Sequence, residues 1–137
     1  MARLLYSRHC QNIEKNMNCL VVSNPKNIRP ELLTFLDKRK IDYAVEPDHL
    51  RVIQHAYESD IKIAIIDVDN ADLPVENMIR ILRERNPKIR ILVCATNNSR
   101  DLETRVRKEN IYFYHLKSFG FHDFSSALQS ALGVNAH

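Results

Sequence analysis

Glycine is nearly missing from this chain, since only Gly120 and Gly133 occur among its 137 residues. A phosphate-binding loop of the G-x-x-x-x-G-K-S/T type and a G-x-G-x-x-G dinucleotide fingerprint both need closely spaced glycines, so the sequence excludes them. Cysteine is also scarce, with three widely spaced residues and no C-x-x-C pair. This usage favours a reducing, cytoplasmic setting over a disulfide framework or a cysteine zinc site.

Long apolar runs are missing too. None approaches the roughly 18 residues of a membrane-spanning helix, so we expect no membrane insertion, and the N-terminus is a poor signal peptide. The histidines lack metal-ligand spacing such as H-E-x-x-H, and none stands near a serine or cysteine in an order that indicates a nucleophile. We therefore expect a protein that is not an enzyme and has no resident cofactor.

The sequence does contain enough apolar residues for one core, at 45% of the chain. We expect one domain over residues 18–133, an N-terminal extension over 1–17 and a short tail over 134–137. The extension is inferred from a polar run between Ser7 and Asn16 that has no clean period and few groups to bury. It is interpreted either as a flexible tail or as a short helix that serves as a contact arm.

Short apolar runs alternate with helical patterns along this domain. Strands are predicted over 19–22, 41–45, 61–67, 89–95 and 111–116. The second predicted helix opens at Pro47 and has an apolar stripe of Leu50, Ile53, Ala56 and Tyr57. Such alternation predicts a flavodoxin-like, three-layer α/β/α fold with a five-stranded parallel sheet of order 2-1-3-4-5.

The third predicted strand indicates where a site would lie. Its run is apolar apart from Lys62, as in a strand covered on both faces, and it stops at Asp67. Ligands of open α/β sheets bind just beyond the carboxyl ends of the strands, so Asp67 is well placed for function. Asp69 and Asp72 follow it closely. These acids are either a metal-binding or phosphoryl-accepting group, or turn-forming and helix-capping residues after a strand.

Two short motifs and the order of elements carry a resemblance. With Ile65-Ile66-Asp67 at the end of the third strand and Tyr114-His115-Leu116-Lys117-Ser118-Phe119 after the fifth, the chain resembles CheY-like receiver domains of two-component response regulators over roughly residues 18–132. The resemblance implies that Asp67 is a candidate phosphoryl acceptor, Lys117 a phosphate-binding residue and Tyr114 a switch aromatic. It also implies Mg²⁺ if phosphorylation occurs, because a divalent cation spreads the charge of the transferred group.

The sequence departs from the receiver pattern at three places. Receivers hold the cation with an acidic pair after the first strand, whereas Ser23-Asn24-Pro25 contains no acid. Ala95 stands where the family has a Thr or Ser hydroxyl, with Thr96 next to it. Ser118 replaces the proline after the lysine, where a cis peptide bond would cost ~3–4 kcal/mol.

These departures favour a degenerate receiver, or pseudo-receiver, that acts as a protein-interaction module in signal transduction with weak or no phosphorylation. Asp67 and Asp69 are then weak metal candidates, and an ion pair between Asp67 and Lys117 needs no phosphate. The alternative is a functional phospho-accepting receiver that uses Asp67 and is served by a histidine kinase.

The resemblance also implies where a protein partner or a second copy of the chain would bind, on the face of the fourth helix, fifth strand and fifth helix. The candidate residues on this face are Tyr112, Tyr114, His115 and Arg105. Tyr114 has an ordinary interpretation as well, as a strand aromatic that covers the last helix.

A second alternative function rests on charge. Between Arg80 and Lys108 there are nine Lys or Arg and three acids, although the formal net charge of the chain is only +3. A solvated basic face is the usual explanation of such a run, so binding of nucleic acid or an acidic partner is the less favoured interpretation.

Overall fold

The computed structural model describes residues 16–69, 75–97 and 99–133, and within them five strands alternate with five α-helices. The strands are β1 (Asn16–Val22), β2 (Tyr43–Glu46), β3 (Asp60–Asp67), β4 (Arg90–Ala95) and β5 (Phe113–Leu116). The helices are α1 (Pro30–Lys38), α2 (His49–Glu58), α3 (Val75–Arg85), α4 (Arg100–Arg107) and α5 (His122–Leu132). Short 3-10 helices at Pro25–Asn27 and Lys117–Phe119 follow β1 and β5.

The strands form one parallel sheet of order β2-β1-β3-β4-β5, which confirms the predicted topology. β1 begins at Asn16, so the boundary predicted after residue 17 falls inside this strand. The rest of the predicted extension, the tail over 134–137 and Asp72 lie outside the described residues. Among the described residues, no helix is both long and apolar enough to cross a membrane.

Both faces of the sheet are buried because successive strand residues point to opposite faces and helices cover each face. Toward α2, α3 and α4 the core includes Leu20, Ile66, Val93, Val52, Ile79, Leu82 and Val106. Toward α1 and α5 it includes Val21, Ile65, Leu92, Leu36, Phe124 and Leu128. The prediction of a doubly covered third strand is therefore confirmed.

The stripe predicted for the second helix is wrong in part. Leu50 and Tyr57 are 65% and 59% exposed, whereas Val52 and Ala56 are buried. The helix also begins at His49, two residues after the predicted opening proline. Since each residue turns the helix by about 100°, Val52 and Ala56 lie on one face and pack on the sheet, and Leu50 and Tyr57 lie elsewhere.

Candidate functional site

Parallel strands bring their carboxyl ends to one edge of the sheet, and the predicted site residues lie along that edge. Asp67 is the last residue of β3 and is only 6% exposed. In the register of the sheet it stands opposite Cys94 of β4, which in turn stands opposite His115 of β5. Burial raises the pKa of the Cys94 thiol to about 12, so this thiol is not a nucleophile at neutral pH.

Both carboxylate oxygens of Asp67 already accept hydrogen bonds. Oδ2 accepts from Lys117 Nζ at 2.8 Å and from Ser23 Oγ at 3.2 Å. Oδ1 accepts from the backbone N–H of Asp69 at 3.0 Å. The structure thus brings Asp67 and Lys117 together as predicted, and it adds Ser23, which sequence reasoning did not assign to Asp67. The available signal was the position of Ser23 directly after β1, the strand that pairs with β3.

Lys117 binds a second carboxylate at the same time. Its Nζ donates to Asp69 Oδ2 at 2.8 Å, and its side chain is 19% exposed. Burial alone would lower the pKa of Lys117, but the hydrogen bonds to Asp67 and Asp69 outweigh burial and raise it. The ammonium therefore stays charged and holds the two carboxylates on either side of it.

Asp69, a weak metal candidate in the sequence, turns its side chain into the site. Besides Lys117, its carboxylate accepts from the backbone N–H of Thr96 at 3.1 Å and from the Thr96 hydroxyl. Burial raises the pKa of Asp69, but the hydrogen bonds from Lys117 and Thr96 outweigh burial. The pKa of Asp69 therefore lies below its ordinary value. Ala95, the last residue of β4, is buried and has no hydroxyl. The hydroxyl that bonds Asp69 belongs to Thr96, the residue after the strand.

The turn after β1, where receivers carry an acidic pair, holds neutral groups here, and these are already bonded. Ser23 donates to Asp67, and Asn24 Oδ1 accepts from the backbone N–H of Lys26 at 3.0 Å. Asp67 and Asp69 both bind an ammonium, and no three His, Cys, Asp or Glu side chains in the described residues are arranged to hold a metal ion. Magnesium is held by carboxylate and water oxygens in an octahedron, and both carboxylates here are already bound to the Lys117 ammonium.

Arg29, which precedes α1, reaches the same edge from the other side. Its Nη1 donates to His115 Nε2 at 3.2 Å and to the Lys117 carbonyl at 3.5 Å. Burial and the positive charge of Arg29 lower the pKa of His115, so the ring is neutral at pH 7 and Nε2 acts as an acceptor. Sequence reasoning missed this pair because the two residues are 86 positions apart.

Two of the four residues predicted for the partner face are buried. His115 is 2% and Tyr114 is 8% exposed, and they point to opposite sides of β5 because strand residues alternate. Tyr114 packs in the same core cluster as Val106 of α4, and the Arg107 guanidinium lies 5.5 Å from the centre of its ring. Neither side chain is available to a partner, while Tyr112 is 40% exposed and the side chain of Arg105 is 47% exposed.

The hydroxyl of Tyr114 is buried without a hydrogen-bond partner among the described residues. Burial raises its pKa, so it is protonated at neutral pH. An inward ring is one of the two positions expected for a switch aromatic, and it is also the position of an ordinary core aromatic. The role of Tyr114 as a switch therefore stays a prediction.

Part of the basic run is paired with acids, since three of its nine basic residues, Arg80, Arg105 and Arg107, form ion pairs in the described residues. Arg80 forms a bidentate pair with Glu109, with a shortest distance of 2.6 Å, and Arg83 donates to two backbone carbonyls just after α4. Arg105 pairs with Glu76 at 2.9 Å. These guanidinium groups fasten α4 to α3, which matters because Val106 is the single buried residue of α4. Such pairing leaves less positive charge for a nucleic acid than the residue count indicates.

A cavity of about 30 Å³ lies beside Asp67. Its lining includes Ser23, Arg29, His115 and Lys117. A volume of this order holds about one water molecule. The Lys117–Ser118 peptide is trans, as are the other peptide bonds of the described residues.

No protein-family model and no curated protein matches the sequence. Solved structures do match. The receiver domain of NtrC4 from Aquifex aeolicus is 18% identical, with a TM-score of 0.71, over 88% of this chain and 98% of that one. The beryllofluoride-activated NtrC4 receiver domain dimer is 20% identical, with a TM-score of 0.74, over 85% of this chain and 96% of that one.

A third match is a response regulator protein from Burkholderia pseudomallei with a phosphorylated aspartic acid, a calcium ion and citrate. It is 19% identical, with a TM-score of 0.71, over 88% of this chain and 69% of that one. At identities this low the similarity shows a shared fold. The chain therefore has the fold of response regulator receiver domains, as the sequence motifs predicted.

Proposed function

We propose that this chain is a receiver-like signalling domain that acts as a protein-interaction module and takes up phosphoryl groups at Asp67 weakly or not at all. The observation that carries the proposal is the double engagement of Lys117, which binds Asp67 and Asp69 at 2.8 Å each. Phosphoryl transfer needs a free carboxylate oxygen, a cation near it and an ammonium for the transferred oxygens. Here the ammonium and both oxygens of Asp67 are already engaged.

The missing acidic pair supports the same proposal. The turn Ser23-Asn24-Pro25 after β1 contains no acid, so it carries no charge that would attract a divalent cation. Without a cation, an incoming phosphoryl donor would bring negative charge to Asp67 and Asp69, which share Lys117 as their single ion-pair partner among the described residues. The chain thus keeps the receiver fold, but transfer of a phosphoryl group to Asp67 is disfavoured.

A protein partner or a second copy of the chain is the proposed output. One structural relative supports this, since it is described as a receiver domain dimer. On this chain the proposed surface keeps the exposed residues Tyr112 and Arg105 and loses Tyr114 and His115, which are buried. Tyr112 is positioned by a contact between its hydroxyl and Ser130 Oγ at 2.6 Å.

The alternative of a working phospho-acceptor also has an observation in its favour, because Asp67 and Lys117 stand together at the carboxyl end of β3. Incubation with acetyl phosphate and Mg²⁺, read by intact mass, separates the two functions. We expect no phosphoryl-sized mass increase for the wild type or for the control variant Asp67→Asn. An increase that occurs in the wild type and disappears in Asp67→Asn would establish the acceptor function instead.

A further inference from the structure

Three hydrogen-bond donors from two segments of the chain converge on one side chain at the site. They are the Lys117 ammonium, which follows β5, and the N–H and hydroxyl of Thr96, which follows β4. Their common acceptor is the carboxylate of Asp69, which is 25% exposed. Donors that meet at one point from separate elements form a binding site for an anion, here filled by a residue of the chain itself.

The chemistry of these donors is not specific to a carboxylate. An ammonium, an amide N–H and a hydroxyl bind any compact oxyanion, and a tetrahedral one offers them more oxygens than a carboxylate does. Asp67 does not fill this position, because its own oxygens face Ser23, Lys117 and the Asp69 N–H. The occupant is therefore the carboxylate of Asp69, whose backbone N–H also donates to Asp67.

We propose that Asp69 is a resident anion in an oxyanion site formed by Lys117 and Thr96, and that inorganic phosphate binds there once the Asp69 carboxylate is removed. The inference deepens the proposed function and rests on it, since a site with a permanent occupant does not depend on phosphorylation. In the native chain two carboxylates share one ammonium, so a further anion meets net negative charge. Thr96 is thereby held toward the site without any external ligand.

The test is a titration with sodium phosphate at constant ionic strength, without metal and without a phosphoryl donor, followed by ¹H–¹⁵N spectra. In Asp69→Ala the amide resonance of Thr96 should move and saturate, and the affinity should exceed that of the wild type by at least about tenfold, because a like charge has been removed. Asp69→Asn, which keeps the shape of the side chain, should respond in the same direction and serves if Asp69→Ala does not fold.

Two controls define the site. Asp101→Ala removes a carboxylate of α4 that is 85% exposed, and its Thr96 amide should behave like that of the wild type. Asp69→Ala combined with Lys117→Ala should lose the response. A folded Asp69→Ala or Asp69→Asn protein whose Thr96 amide ignores phosphate would overturn the inference, and so would a wild type that binds phosphate equally well. Neither result depends on phosphoryl transfer, which intact mass reports separately.

Discussion

The two carboxylates that share Lys117 belong to different regions of the site. The site floor consists of Ser23, Asp67 and His115, which are 2%, 6% and 2% exposed and lie on or directly after buried strands. The site rim consists of Asp69 and Thr96, which lie in loops, and the Asp69 side chain is 25% exposed. Packing of the sheet fixes the floor, whereas only hydrogen bonds hold the rim. We therefore expect changes at the floor to affect stability and changes at the rim to affect ligand binding.

The largest loss of stability is expected from a substitution that removes a partner of both the floor and the rim. Lys117→Ala removes the ammonium and leaves two carboxylates without a cation, one of them buried. We expect the free energy of unfolding to fall by about 3 kcal/mol, as when one partner of a buried ion pair is removed. This is the low end of the usual range, because Lys117 is partly exposed. Urea unfolding should show this loss as a lower midpoint with an unchanged slope.

The matched control for that variant is Lys62→Ala, since Lys62 lies on β3 but is exposed. Its effect should stay within about 0.5 kcal/mol, as for most surface substitutions. Equal losses of stability in the two variants would show that Lys117 is not held by the carboxylates.

The second prediction separates floor from rim. Asp67→Asn should lower the free energy of unfolding by about 2 kcal/mol, because a buried, charge-assisted hydrogen bond is lost. Asp69→Asn should lower it by about 1 kcal/mol or less, because its carboxylate is partly solvated. Both values come from the same denaturant series. A larger loss for Asp69→Asn than for Asp67→Asn would reverse the assignment of the two regions.

The smallest expected effect is a pH dependence at the floor. The folded-state pKa of His115 lies below its ordinary value of 6.5 because the ring is buried beside Arg29. The unfolded chain therefore takes up this proton first, so the contribution of neutral His115 is fully present above pH 6.5 and is lost as the pH falls below it.

His115→Gln keeps an acceptor for Arg29 but does not titrate. It should flatten the decline of stability between pH 7 and pH 5, measured as the urea midpoint at each pH. His122→Gln is the control, because His122 is exposed at the start of α5. An unchanged decline in His115→Gln would show that another group is responsible.

The sequence predicted the floor better than the rim, for a physical reason. A parallel sheet aligns the ends of its strands, and the resemblance to receivers, carried by the motifs around Asp67 and Lys117, implied that these two residues meet at that edge. No such rule governs the loop after β3. Whether Asp69 offers its backbone or its side chain depends on contacts with Thr96, which follows a different strand.

Two errors came from reading single patterns without the packing around them. Tyr114 and His115 were placed on a surface, but β5 is covered on both faces and buries both residues. In α2 the predicted stripe had helical spacing, yet the buried face carries His55, whose Nε2 lies 3.0 Å from Glu46 Oε2. A polar residue such as His55 can be buried when a partner elsewhere in the chain satisfies it. Because hydrophobic periodicity does not count such a residue, it does not identify the buried face of the helix.

We propose that the engagement of Lys117 by two carboxylates and the missing acidic pair keep Asp67 from accepting a phosphoryl group. Intact mass after incubation with acetyl phosphate and Mg²⁺ tests it most directly in a variant that rebuilds the receiver pattern, Ser23→Asp with Asn24→Asp and Asp69→Asn. We predict a phosphoryl-sized increase in this variant, its loss on adding Asp67→Asn, and no increase in the wild type. An Asp67-dependent increase in the wild type equal to that of the rebuilt variant would contradict the claim.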